Sequence, residues 1–202
     1  MLYNCTIDTT TQNTRMNHAS IMHISDRNNI RKWLEANHLT AKYTWVHIDR
    51  LDMYFLHSDS YIDMVEELLC FGWIDGTVKK RDDGGYMQRI SPRTKKSSWT
   101  ELNKARFIRQ HRLGRTVPAG HDAFERAPQF VQHDETMLAI QRSHAWENFQ
   151  QLHPLYVRIR LSHIQQALPT TTDKYKKRLE KFIDHTAAGK TYGKWNDNGR
   201  LL

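Results

Sequence analysis

The residues of this chain whose types and spacing could do chemistry together lie in one segment of its first half. An isolated carboxylate, Asp75, is followed by two guanidinium groups, Arg89 and Arg93, with tryptophans on either side. Such a carboxylate could act as an acid or a base while the arginines orient an anionic group. The alternative is that Asp75 pairs with Arg93 across two strands and only braces them. The candidate ligand-binding residues of the segment are Trp73, Asp75, Arg89, Arg93, Trp99 and Asn103.

A predicted β-hairpin would bring these side chains together. The stretches "WIDGTVKK" and "YMQRISPR" are joined by "RDDGG", which has the Asp and Gly that tight turns use. A three-residue loop would set Val78 opposite Ile90 and would also set Asp75 opposite Arg93. One face would then carry Ile74, Val78, Tyr86 and Ile90, and the other Trp73, Asp75, Thr77, Arg89 and Ser91.

A second candidate site is a basic helix near the end of the chain. In "TDKYKKRLEKFIDHTAAGK", the residues Tyr175, Leu179, Phe182 and Ile183 recur at helical spacing and predict a buried stripe. The bases then point outward, where they could bind a polyanion or simply form a solvated face. These candidate polyanion-binding residues are Lys174, Lys176, Lys177, Arg178 and Lys181.

The overall charge of the chain bears on its partners. The 202 residues include 30 Lys and Arg against 22 Asp and Glu, which gives a formal net charge of +8. Such a surface attracts polyanions and repels polycations. A protein or an anionic ligand is therefore the expected partner. Nucleic acid is a further alternative, although the chain contains no known reader motif.

Metal, cofactor and nucleotide chemistry is not predicted. The two cysteines lack zinc-type spacing, and the twelve histidines are scattered. Neither His18 with His23 nor His153 with His163 has the i,i+4 spacing of a zinc-protease helix. No phosphate-binding glycine loop and no nucleophile elbow occurs. The sequence therefore assigns no catalytic residue, no metal and no cofactor, and it does not favour an enzyme.

The chain is expected to be cytoplasmic. Its first twenty residues have no apolar run long enough for an export signal, and no stretch approaches the apolar length of a membrane span. Its content of 39% hydrophobic and 26% charged residues is typical of a soluble globular protein.

Helices and a further strand are predicted on both sides of the hairpin. One helix begins at Ser25 or Asp26, ahead of apolar residues at helical spacing. A strand covers 42–48, which is dense in aromatic and β-branched residues. A second helix covers 60–71. A third follows the hairpin and opens with the capping-box serine Ser98.

The predicted fold class is α+β. It consists of a small antiparallel sheet with a β-hairpin, covered by helices and followed by a helical C-terminal lobe. In that lobe one helix covers "DETMLAIQRSHAWENFQQL" and another starts at Pro154. The predicted divisions are an N-terminal arm or edge strand over 1–24, an α+β domain over 25–128, a helical C-terminal region over 129–189 and a tail over 190–202.

Three motifs of the chain resemble one bacterial family. The motifs are "CFGWIDG" (70–76), "QRISPR" (88–93) and "SSWTELN" (97–103). Their order and spacing are similar to the signature of the YdeI/OmpD-associated proteins, also called bacteriocin-protection proteins. The likeness extends from about Ser25 to Gly189.

The chain departs from that family at two places. Ile90 stands where family members carry an aromatic residue, and Pro169 interrupts a C-terminal stretch. The resemblance implies a role in tolerance to bacteriocins and cationic antimicrobial peptides, but it implies no established reaction. Because a chain at +8 repels cationic peptides, the role is expected to be indirect, through a stress response, nucleic acid or envelope components.

Overall fold

A computed structural model describes residues 22, 23, 25–48 and 58–202 of the chain. In this part of the chain, four strands and eight helices follow one another along the sequence. The first half contains β1 (Met22–His23), α1 (Arg27–Asn37), β2 (Thr44–Ile48), α2 (Asp59–Cys70), β3 (Trp73–Lys80), β4 (Tyr86–Pro92), α3 (Glu101–Arg112) and α4 (Pro118–Glu125). The second half contains α5 (Asp134–Gln141), α6 (Trp146–Phe149), α7 (Pro154–Gln165) and α8 (Asp173–Ala187).

The described strands form one mixed sheet in the order β1-β2-β4-β3. β1 runs parallel to β2, with α1 as the connection, and the other two pairings are antiparallel. The predicted α+β class is confirmed, although the sheet is mixed rather than wholly antiparallel. β1 lies at an edge of the sheet. The remainder of the predicted arm over 1–24 falls outside the described residues.

Helices cover one face of the sheet, which we call the inner face. Ile30 and Leu34 of α1 and Val65 of α2 are buried there against Val46 and Ile90 of the strands. The residues that alternate with these along each strand form the outer face. No described residue of the outer face is fully buried, and its members are His23, Tyr43, Trp45, His47, Ile74, Lys79, Met87, Arg89 and Ser91.

The observed hairpin register corrects the predicted one. β3 and β4 are joined by five residues instead of three, and Val78 lies opposite Gln88 instead of Ile90. A β-bulge between Asp75 and Val78 shifts the pairing again, so that Asp75 lies opposite Ile90 instead of Arg93. Because a bulge inserts an unpaired residue, strict alternation predicted the wrong faces.

This register separates residues that the sequence placed on one face. Trp73 and Asp75 point toward the helices on the inner face, whereas Arg89 and Ser91 lie on the outer face. Ile74 also lies on the outer face, because it pairs with Ser91. The predicted apolar face is therefore wrong at Ile74, and the predicted polar face is wrong at Trp73 and Asp75.

The helices begin where short polar side chains accept the first unpaired amide groups. Asp26, one of the two predicted caps, caps α1. Ser58 caps α2 and Thr100 caps α3, each two residues from the serines expected to do so, Ser60 and Ser98. The helices themselves are confirmed, and only their first residues differ.

A second core lies among the C-terminal helices. Tyr156 and Phe182 are fully buried at its centre, and α7 begins at Pro154 as predicted. The first core extends along the chain to Ala127, and the second begins with Phe130. The predicted domain divisions stay a prediction, with this change of core near residue 128 as their support.

One predicted helix of the C-terminal lobe is two helices. α5 and α6 replace the single helix expected over 134–152. The hydroxyl of Ser143 donates to the Ile140 carbonyl at 2.7 Å and accepts from the Ala145 amide at 3.2 Å. These side-chain bonds compete with the helical backbone ladder and end α5.

Candidate functional site

Arg93 holds three segments of the first half together. Its backbone amide donates to the Gly72 carbonyl at 2.8 Å, and its Nε donates to the Trp73 carbonyl at 3.1 Å. Its Nη1 donates to the Ser98 carbonyl at 2.8 Å, and its guanidinium lies 4.1 Å from the ring centroid of Trp99. Arg93 thereby joins all three motifs that the sequence singles out.

Burial changes the acid–base properties of this guanidinium. Arg93 is 8% exposed, and burial lowers its pKa to about 10 against an opposing contribution from the Asp75 carboxylate. The group is still protonated at neutral pH. It is a fixed cation whose Nε and Nη1 bind backbone carbonyls.

Asp75 pairs with a tyrosine of α2. The Tyr61 hydroxyl donates to Oδ2 of Asp75 at 2.8 Å. Burial, and then the neighbouring Asp75 carboxylate, raise the pKa of Tyr61, so the hydroxyl keeps its proton at neutral pH. The bulge turns Asp75 toward the helices, which is why it meets Tyr61 there and is not aligned with Arg93.

The same region continues through α3 to the end of the chain. Arg106 is 5% exposed and donates from Nε and Nη2 to the two carboxylate oxygens of Asp197, at 2.7 and 2.8 Å. Its Nη1 donates to Oδ1 of Asn103 at 2.9 Å. The positive charge of Arg106 lowers the pKa of Tyr61 and so opposes the larger effects of burial and of Asp75.

The structure brings together most of the predicted ligand-binding residues but not all of them. Asn103 adjoins the cluster through Arg106. Arg89 lies on the outer face, so the expected arrangement of two arginines beside Asp75 does not form. The predicted residues that do lie in the inner cluster are Trp73, Asp75, Arg93 and Trp99.

Sequence reasoning missed Tyr61, Arg106 and Asp197. Tyr61 precedes its partner Asp75 by 14 residues, and Arg106 precedes Asp197 by 91. No helical or strand period relates residues at these separations. Each pair becomes adjacent only in the folded chain. Tyr61 meets Asp75 because α2 packs against the sheet, and Arg106 meets Asp197 because the C-terminal tail lies against α3.

The outer face of the sheet is a second candidate surface. Tyr43, Trp45 and His47 occupy every second residue along and just before β2, so their rings project on the same side. Lys79 Nζ lies 5.2 Å from the Trp45 ring centroid, and the Arg89 guanidinium lies 4.5 Å from that of Tyr43. The face therefore alternates aromatic rings with cations.

A small cavity adjoins one end of the outer face. It has a volume of about 280 Å³ and is lined in part by His23, His47, Arg81 and Asp83. The two imidazole rings lie 5.0 Å apart, and Arg81 Nη1 is 2.7 Å from Nδ1 of His47. Asp83 forms an ion pair with Arg81, so this end of the face is less positive than the middle.

Five arginines of the chain surround two carboxylates inside the fold. Glu66 and Glu67 of α2 are fully buried and lie among arginines from both ends of the chain. In contrast, Lys79 and Arg89 of the outer face pair with no carboxylate of the described residues. The arginines that pair with Glu66 or Glu67 are Arg27, Arg31, Arg109, Arg115 and Arg200.

The predicted basic face of α8 is exposed at four of its five positions, Lys174, Lys176, Lys177 and Lys181, and only Arg178 is half-buried. Arg178 donates to the His163 carbonyl, and Lys181 lies 5.0 Å from the Tyr192 ring centroid. The outward part of this face is a short row of lysines.

Other reactive groups are few among the described residues. Burial, and then the Glu67 charge, raise the pKa of the Cys70 thiol to about 12, so it is not a reactive thiolate at neutral pH. The described residues contain no group of three or more His, Cys, Asp or Glu side chains placed to hold a metal. Over the same residues, every helix is too short or too polar to cross a membrane.

A comparison with known families matched the first half of the chain. A family model described as a domain of unknown function, DUF8412, matches residues 22–123. This range is about half of the 202 residues and contains the whole sheet, the hairpin and α3. The curated proteins and the solved structures gave no significant match.

Proposed function

We propose that this chain, which belongs to the DUF8412 family, binds single-stranded nucleic acid on the outer face of its sheet. The observation that carries the proposal is the row of Tyr43, Trp45 and His47 with Lys79 and Arg89 set against the rings. Nucleobases stack on exposed aromatic rings, while Lys and Arg attract the phosphates.

The spacing of the rings favours a single strand over a duplex. Residues two apart on a strand are separated by about 6.6 Å, so neighbouring rings can each take one unstacked base. A duplex keeps its bases stacked on one another and offers the face only its phosphates. Each base that stacks on a ring contributes about 1–3 kcal/mol, which makes the rings the main source of preference for single strands.

The charge of the outer face supports the same ligand. Lys79 and Arg89 pair with no carboxylate of the described residues, whereas each arginine around Glu66 and Glu67 contacts at least one. Phosphate contacts of this kind are strongly weakened by salt, because binding releases counterions. The affinity for a single strand should therefore fall as the salt concentration rises.

The experiment measures the fluorescence anisotropy of three labelled probes: a 12-nucleotide dT strand, a 12-nucleotide U strand and a 12-base-pair duplex. We expect the single strands to bind more tightly than the duplex at the same salt concentration. The Trp45→Ala variant should bind the single strands about 5-fold to 150-fold less tightly, as expected for the loss of one stacked base.

A pair of matched double variants separates the outer face from general basicity. Lys79→Ala with Arg89→Ala removes two charges from the face, and Lys176→Ala with Lys177→Ala removes two from α8. Only the first pair should reduce affinity strongly. Equal losses would indicate diffuse attraction to a basic protein, and a loss confined to the α8 pair would move the site to the predicted basic helix.

The resemblance to the bacteriocin-protection proteins supplies a hypothesis for the cellular role. Its three motifs meet at Arg93, which braces the sheet that presents the outer face. A role in peptide tolerance would then be indirect and would depend on nucleic-acid binding in the cytoplasm. A host that expresses the chain should gain tolerance to a cationic peptide, and the Trp45→Ala variant should lose that gain.

A ligand or enzyme site at the Asp75 cluster has less support. Nε and Nη1 of Arg93 donate to carbonyls, and Arg106 is bound to Asp197. Arg89, which the hypothesis also needs, lies on the other face of the sheet. The groups of the inner cluster that could bind an anion are thus engaged with the chain itself.

A further inference from the structure

We propose a second binding site, for a small amphipathic organic anion, in the cleft between α3 and α7. The cleft has a volume of about 490 Å³, which is within the range of small-molecule sites. Its apolar lining includes Ala105 and Ile108 from α3 and Leu155 from α7, and Leu201 closes one side. It shares no residue with the outer face, so it does not depend on the proposed function.

The cleft is positively charged around this apolar surface. Arg109, Arg112 and Arg158 line it, and no Asp or Glu side chain of the described residues does. Arg109 Nη1 lies 2.8 Å from Glu66, and Arg158 Nε lies 3.0 Å from Glu101. Both of these carboxylates are shared with a further cation, so they do not cancel the charge of the cleft.

Arg112 is the residue best placed to meet an incoming anion. It is exposed, and it forms no ion pair within the part of the chain that the structure describes. It lies in the last turn of α3, one position before Leu113, whose side chain is 55% exposed beside it. A guanidinium and an exposed leucine together suit a ligand with a charged head and an apolar body.

The combination selects a narrow class of ligand. Guanidinium groups bind carboxylate and phosphate oxygens in the same two-point geometry. An uncharged lipid would leave the guanidinium groups unused, and a cation would be repelled. A highly charged polyanion would gain little from Ile108 and Leu155. The expected occupant is an aliphatic or aromatic body with one carboxylate or phosphate head.

Titration calorimetry with four ten-carbon probes tests this site on the full chain. Decanoate and decyl phosphate should bind at one site per chain, and the tighter of the two identifies the preferred head group. Decanol should bind at least about tenfold more weakly, because it cannot form the charge-assisted hydrogen bonds. Decyltrimethylammonium should not bind.

Two single-charge variants provide the matched control. Arg112→Ala should weaken decanoate binding by about tenfold or more. Arg142→Ala removes an equally exposed arginine that does not line the cleft, and it should leave the affinity unchanged. Neither side chain forms an ion pair with the described residues, so both variants should fold.

Three results would overturn the site. The first is equal affinity for decanoate and decanol, which would mean that the arginines play no part. The second is an equal effect of Arg112→Ala and Arg142→Ala, which would mean that only net charge matters. The third is no saturable binding of any anionic probe below its micelle concentration.

Discussion

Asp75 and Arg93, an acid and a base that local sequence would pair, bind different groups in the folded chain. Asp75 accepts from the Tyr61 hydroxyl, and Arg93 donates to the carbonyls of Trp73 and Ser98. Each of these bonds satisfies a polar group in or near the inner core, where an unpaired group is costly. The candidate acid of the sequence is thus part of a bracing cluster.

The bond between Tyr61 and Asp75 can be tested by Tyr61→Phe. Removing the hydroxyl leaves the Asp75 carboxylate without this donor, so the free energy of unfolding should fall by about 1–3 kcal/mol. Urea denaturation at neutral pH measures this change. An unchanged midpoint and slope would contradict a stabilising role for the bond.

The same bond predicts a pH dependence in the alkaline range. The folded state raises the pKa of Tyr61 above its ordinary value of 10.0. The unfolded chain therefore loses this proton first, and the stabilisation that is complete below pH 10 is lost as the pH rises further. Wild-type stability should decline above pH 10 more steeply than that of Tyr61→Phe. Parallel curves in urea titrations would show that Tyr61 does not contribute.

At the level of the elements, periodicity and capping residues predicted where the helices occur, but they did not predict the register of the hairpin. α1 and α8 occur where apolar spacing predicts them, because burial of one face determines that spacing; α7 is predicted by Pro154 and the length of its apolar run instead. The bulge after Asp75 cannot be recognised from the alternation of apolar and polar residues, since any residue type can be the extra one in the strand. This one residue moved Asp75 away from Arg89 and divided the predicted site.

The contact between α2 and α4 is a second feature that only packing reveals. A Cβ at Gly120 would overlap the carbonyl of Cys70, whereas a Cβ at Gly76 would be 3.6 Å from the nearest neighbouring atom. Gly120→Ala should therefore lower the free energy of unfolding by about 1–3 kcal/mol through overpacking. Gly76→Ala, an ordinary surface change, should stay within about 0.5 kcal/mol of wild type. Equal effects of the two variants in urea denaturation would exclude a tight helix contact at Gly120.

For the whole molecule, the C-terminal tail fastens the last residues of the chain to its first half. Asp197 binds Arg106 of α3, and Arg200 binds Asp59 and Asp63 of α2. The sequence separations are 91 to 141 residues, so no local pattern could predict these pairs. The segment over 190–202, which the sequence divides off as a tail, thus binds α2 and α3.

Substitution of Asp197, the partner of Arg106, tests most strongly whether the tail stabilises the first half of the chain. Asp197→Asn leaves a buried guanidinium without its counter-charge, which should cost about 3–5 kcal/mol. Asparagine tolerates the positive φ of 50° at this position as well as aspartate does, so the backbone is not a confounding factor. A double-mutant cycle with Arg106→Met measures the coupling between the two side chains. A coupling free energy near zero would show that the tail does not hold α3.

The proposed binding of single-stranded nucleic acid to the aromatic row of the outer face can be observed directly at Trp45. The six tryptophans of the chain give six indole N–H signals in a nuclear magnetic resonance spectrum, and Trp45 is the one on the outer face. Adding a dT 12-mer should shift the Trp45 signal strongly and leave those of the buried Trp73 and Trp99 in place. Saturating binding with an unmoved Trp45 signal would contradict the proposal.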